Sequence, residues 1–85
     1  MLKLWLVVYS GVQIVGSAGP LPYGMDECII RRDLLRTSQQ EVLSTGYSQS
    51  LKRALTGEEM DKIRDMAFEC EWRDKRPVIG SIERS

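Results

Sequence analysis

Eighty-five residues and 9.7 kDa allow one small domain. Twelve Lys and Arg balance twelve Asp and Glu, for a formal net charge of zero, so the cation surplus by which a general nucleic-acid binder displaces counterions is missing. There is no His and only two Cys, which excludes a Ser-His-Asp triad and a closed Cys/His zinc site.

The N-terminus comes first. After Lys3 the next charge is Asp26, and Leu4–Val15 is mostly apolar, interrupted by Ser10, Gly11 and Gln13. One cation, an apolar stretch of this length and then small residues describe a secretory signal peptide. Gly16 and Ala18 fill the minus-three and minus-one positions for cleavage between Ala18 and Gly19. The competing reading is an uncleaved anchor through residues 4–19, the chain's one route to a membrane. As a helix that segment reaches roughly 24 Å, short of a ~30 Å hydrocarbon core, and Pro20 and Pro22 stop its extension. A third reading is a buried strand or helix of a cytosolic domain. Export to the periplasm or extracellular space is the expectation that these residues favour.

Residues 19–25 form a turn-rich lead-in around Leu21-Pro22-Tyr23-Gly24. Asp26 is placed to cap a helix with Glu27 in its first turn. Cys28, Leu35 and Val42 recur by sevens, with Ile29, Leu34 and Leu43 beside them, so the spacing predicts a helix running to about Ser44. Gly46 is its stop, or a weak point in one longer helix continuing through Tyr47, Leu51, Ala54 and Leu55. Thr56-Gly57-Glu58-Glu59 is a capping box, and Met60, Ile63, Ala67 and Cys70 behind it predict a second helix. Glu58→Lys62, Glu69→Arg73 and Glu71→Lys75 would support it at i,i+4, and Pro77 would end it.

The expected architecture is all-α: a signal peptide over 1–18, the lead-in over 19–25, and an antiparallel helical hairpin or three-helix domain over 26–76. A C-terminal tail covers 77–85. Antiparallel helices would bring Cys28, at the start of one, beside Cys70, near the end of the other. The chain-entropy model gives such a disulfide about 4 kcal/mol, a large share of a small domain's stability. An exported location favours the bond.

Chemistry is sparse in this inventory. Cys-x-x-Cys, Gly-x-Ser-x-Gly and glycine-rich phosphate loops are all absent. The scattered carboxylates read as a solvated surface. The chain therefore reads as a non-enzyme without cofactor or metal, whose partner is another protein. Trp72 and Phe68, with Arg31, Arg32 and Arg36, are the candidate contact residues, because Trp and Arg are enriched where binding energy concentrates. Two other readings stand beside it: a signal-anchored single-pass accessory protein of an envelope complex and, from the dibasic pairs Arg31-Arg32, Lys52-Arg53 and Lys75-Arg76, a secreted peptide precursor.

Overall fold

A computed structural model of the chain describes residues 1–83. In chain order its elements are β1 (Lys3–Ser10), β2 (Gln13–Ala18), α1 (Met25–Thr45), β3 (Tyr47–Ser48), β4 (Arg53–Ala54), α2 (Gly57–Arg64) and β5 (Met66–Arg73). The all-α expectation is overturned. The fold is mixed α/β, with an antiparallel sheet ordered β2-β1-β5 and a separate β3-β4 ribbon.

The residues read as a signal peptide build the centre of this sheet. Trp5, Val7, Val8, Tyr9, Val12, Ile14 and Val15 are aromatic or β-branched, the types that fit a pleated surface best. Gly11, at φ 59°, occupies the first loop position of a two-residue hairpin, where the primed turns need positive φ. Strand β1 then pairs with β2 on one side and along its whole length with β5 on the other, from Lys3↔Arg73 to Ser10↔Met66. A bulge at Val8/Tyr9 absorbs one extra residue of β2.

Both faces of β1 are covered. Leu4, Leu6 and Val8 share a face with Phe68, Cys70 and Trp72, and α1 lies on that side. Trp5, Val7 and Tyr9 share the other face with Ala67, and with Ile14 they form the core cluster. Residues 76–83 cross this second side as a strap. The Arg76 guanidinium lies 5.3 Å from the centroid of the Trp5 ring, and Pro77 is buried. The Ile14 N–H donates to the Ser81 carbonyl at 2.8 Å, and the Gly80 N–H donates to the Ile14 carbonyl at 2.7 Å. A strand buried on both faces reads as a continuous apolar run rather than an alternation. That composition is also the signature of a signal peptide, and here the same residues make a strand.

Helix α1 ends at Gly46 as expected, in the left-handed conformation at φ 70°, with its N–H returning to Val42. Its N-cap is Gly24, not Asp26, which sits with Glu27 in the first turn. The segment after Gly46 is the β3-β4 ribbon and not a continuation of the helix.

Helix α2 carries the expected capping box: Thr56 accepts from the Glu59 N–H, and the Glu59 carboxylate accepts from the Thr56 N–H. It stops at Arg64, so the expected helix through Cys70 is corrected. Met66, Phe68, Cys70 and Trp72 alternate with Ala67, Glu69, Glu71 and Arg73, and a period of two is a strand. The Glu58–Lys62 pair forms at 3.8 Å. Glu71 instead reaches Arg73, two residues on and on the same face of β5, at 2.7 Å.

The Cys28–Cys70 disulfide is present, with a Cα separation of 6.2 Å. It joins a helix to a strand rather than two helices. Its antiparallel logic survives, because the start of α1 still lies beside the end of β5. The expected tail, 77–85, supplies the strap up to Glu83, and residues 84 and 85 lie outside the described residues.

Candidate functional site

Among the described residues no three His, Cys, Asp or Glu side chains gather to hold a metal ion, and no helix is long and apolar enough to cross a membrane. Clefts open beside the strap and beside α1.

The first cleft, about 630 Å³, is lined by Tyr9, Glu69, Glu71, Arg73 and Glu83. The Tyr9 hydroxyl donates to Glu71 Oε2 at 2.6 Å, Arg73 Nε donates to Glu71 Oε1 at 2.8 Å, and Arg73 Nη2 bonds to Glu83. Burial raises the Tyr9 pKa, and the adjoining Glu71 carboxylate raises it further, so the phenol stays protonated as a donor. Arg73 is held charged above all by its hydrogen bond to Glu83. These groups are engaged with one another, and the cluster fastens the strap to β5.

The second cleft runs beside α1. Leu6 on the sheet, Tyr23 in the lead-in, and Arg31, Leu34, Leu35 and Ser38 on the helix enclose about 370 Å³. A further depression continues from Ser38 past Glu41, Val42 and Thr45 to Tyr47 and Ser48. Positions 31, 34, 35, 38, 42 and 45 lie along one flank of a helix, so the two form a groove along α1 from Arg31 to Thr45. Its apolar wall is open to solvent: Leu34 is 63% exposed, and neighbouring Ile30 57%.

This exposure follows from the seating of α1. Of its 21 residues only Cys28 is buried. Ile29 and Leu43 are half-buried, and the hydrogen-bonded ties run to α2 and β5. Gln39 Nε2 donates to the carbonyls of Ile63 and Met66 at 2.6 and 2.8 Å, and Arg36 Nη2 donates to that of Phe68 at 3.1 Å. The disulfide and these capping side chains hold the helix over β5 and leave the flank beside β1 uncovered.

The sequence-derived contact residues are distributed otherwise than as one patch. Phe68 is buried under α1, and Trp72 is half-exposed on β5 opposite Leu4. The three arginines do not form a basic cluster, since each has a carboxylate. Arg31 pairs with Glu27 at 3.0 Å, Arg32 with Asp33 at 3.2 Å, and Arg36 with Glu69 at 3.5 Å. Of the five, only Arg31 lines the groove, with its guanidinium 4.7 Å from the centroid of the Tyr23 ring. Ala18 and Gly19, the expected cleavage pair, end β2 and begin the connection that packs against Trp5.

Leu6, Tyr23, Leu34 and Ser38 were not marked as contact residues by the sequence. The available signal was the width of the apolar pattern on α1. Ile30 and Leu34 lie off the stripe of Cys28, Leu35 and Val42, more apolar surface than one sheet face can take.

Comparison with protein-family models, with curated proteins and with solved structures gives no match.

Proposed function

We propose that this protein is a small non-catalytic interaction module, stapled by Cys28–Cys70, which presents the flank of α1 to a protein partner. The observation that carries this reading is the open groove of Leu6, Tyr23, Leu34, Leu35 and Ser38, with Leu34 63% exposed. Exposed apolar surface in a concave, rigidly backed setting is what a partner's side chains can fill. The polar cleft supports the same reading indirectly, because its Tyr, Arg and Glu groups are bound to each other and to the strap. Location enters through the disulfide, which fits an oxidising compartment, and export is part of the reading on that ground alone.

A photo-crosslinking side chain placed at Leu34 in the native host tests the role. The expected result is a protein adduct at Leu34 and none at Lys62, on α2 and outside the groove. If Leu34 yields no more adduct than Lys62, the groove is not an interaction face and the reading falls.

A further inference from the structure

The groove has a wall whose residues follow a second pattern. Glu27, Arg31, Leu34, Ser38, Glu41 and Thr45 recur at steps of four, three, four, three and four. Positions so spaced form one strip along the helix, a seam along which a second helix can lie. In this fold the seam lies open, with Arg31, Leu34, Ser38, Glu41 and Thr45 all exposed.

The charges on the seam select a partner. Within the seam two pairs equidistant from position 36 are complementary: Arg31 matches Glu41, and the long Leu34 matches the short Ser38. Among the described residues Glu41 makes no ion pair, whereas Arg31 pairs with Glu27 of its own helix and lies over the Tyr23 ring. Two copies of α1 side by side and antiparallel therefore place Arg31 of each against Glu41 of the partner subunit, twice over by symmetry. Each Leu34 also faces the gap above a Ser38. A parallel pair would set Arg31 against Arg31 and Glu41 against Glu41. From this match of charge and size, and building on the reading of the α1 flank as an interaction face, we infer that the occupant of the groove is a second copy of this chain. It binds through an isologous, antiparallel α1–α1 contact.

The seam holds few large apolar side chains, so the dimer is reversible and concentration-dependent. Sedimentation of the intact, disulfide-bonded protein from low micromolar to near-millimolar concentration should show the mass doubling. Arg31→Glu and Glu41→Arg each turn two attractive pairs into repulsive ones, and each should weaken the dimer about tenfold or more. The double variant Arg31→Glu/Glu41→Arg restores the pairing and should restore the dimer. Circular dichroism and thiol alkylation confirm that each variant keeps its fold and staple. Leu34→Lys is a second disruption that leaves the helix's own ion pairs intact.

A monomer at every concentration overturns the inference. So does a dimer that both single reversals leave intact, or a double variant that fails to recover. These results are separable from failure of the broader reading. A monomer whose Leu34 still crosslinks to a protein of different mass loses only the self-association, whereas absence of any Leu34 adduct removes both.

Discussion

Gly19 is held by what surrounds it. A methyl group there would stand 2.8 Å from Trp5 Cε3 and 3.1 Å from the Leu4 carbonyl oxygen, and the backbone sits at φ 145°, where side chains are strained whatever the space. Trp5 cannot easily yield, because it is 95% buried between this glycine and the Arg76 guanidinium. Its indole Nε1 finds no hydrogen-bond acceptor among the described residues, so the ring is placed by packing alone. Gly19→Ala should therefore destabilise the protein by about 1–3 kcal/mol, read as a lower urea midpoint at unchanged slope. Gly57→Ala is the control, since a methyl there meets nothing within 4 Å and the backbone is not left-handed. Equal midpoints for the two variants would show that the 19–20 connection does not pack on Trp5 in this way.

At the scale of elements, α2 offers a titration. The Glu59 carboxylate is held down to about 2, first by the Arg53 guanidinium that grips it at 2.7 and 2.8 Å and then by the Thr56 N–H. An unfolded Glu titrates near 4.3, so the folded value is depressed. The support it gives is full above about pH 4.3 and is lost as pH falls toward 2. A carboxyl-carbon NMR titration should find Glu59 still ionised at pH 3, with exchange of the Thr56 and Glu59 amides accelerating below that. Arg53→Ala should move the midpoint upward, and an unmoved midpoint would mean that β4 does not clasp the start of α2.

The capping box that starts α2 was legible in four consecutive residues, because capping chemistry is local. Likewise Gly46 marked the end of α1 through a backbone conformation that glycine adopts without strain. What the sequence hid is where α2 gives way to β5. Met60, Ile63, Ala67 and Cys70 satisfy a helical period while Met66, Phe68, Cys70 and Trp72 satisfy a period of two. Only the presence of β1 as a partner decides between them. Long-range pairing overrode a plausible local pattern, and the residues of β1 themselves satisfy the pattern of a leader as well as that of a buried strand. The groove was hidden for a related reason. With a second helix assumed, every apolar residue of α1 had somewhere to go.

For the whole molecule, the N-terminal hairpin and the staple carry separate loads. Leu4, Trp5, Val7, Tyr9 and Ile14 are buried, whereas the described chain after residue 18 contributes Cys28, Phe68 and Pro77. Five side chains at about 1.5–3 kcal/mol each match or exceed the whole net stability of a small domain. Cleavage after Ala18 would remove them along with every backbone partner of β5. The disulfide's contribution of about 4 kcal/mol acts by restricting the unfolded chain and cannot replace a missing strand. The fold therefore predicts that residues 1–18 are kept. Intact mass spectrometry of the protein from its native host, alkylated with and without prior reduction, should therefore find a species that retains residues 1–18 and has both thiols blocked until reduction. A species beginning at Gly19 would mean that the functional chain does not have this sheet and that residues 1–18 serve as a signal after all. Retained residues 1–18 with freely alkylated thiols would keep the sheet but remove the staple. The case for an oxidising location would go with it, and α1 would be held by Arg36, Gln39 and the partial burial of its inner face alone.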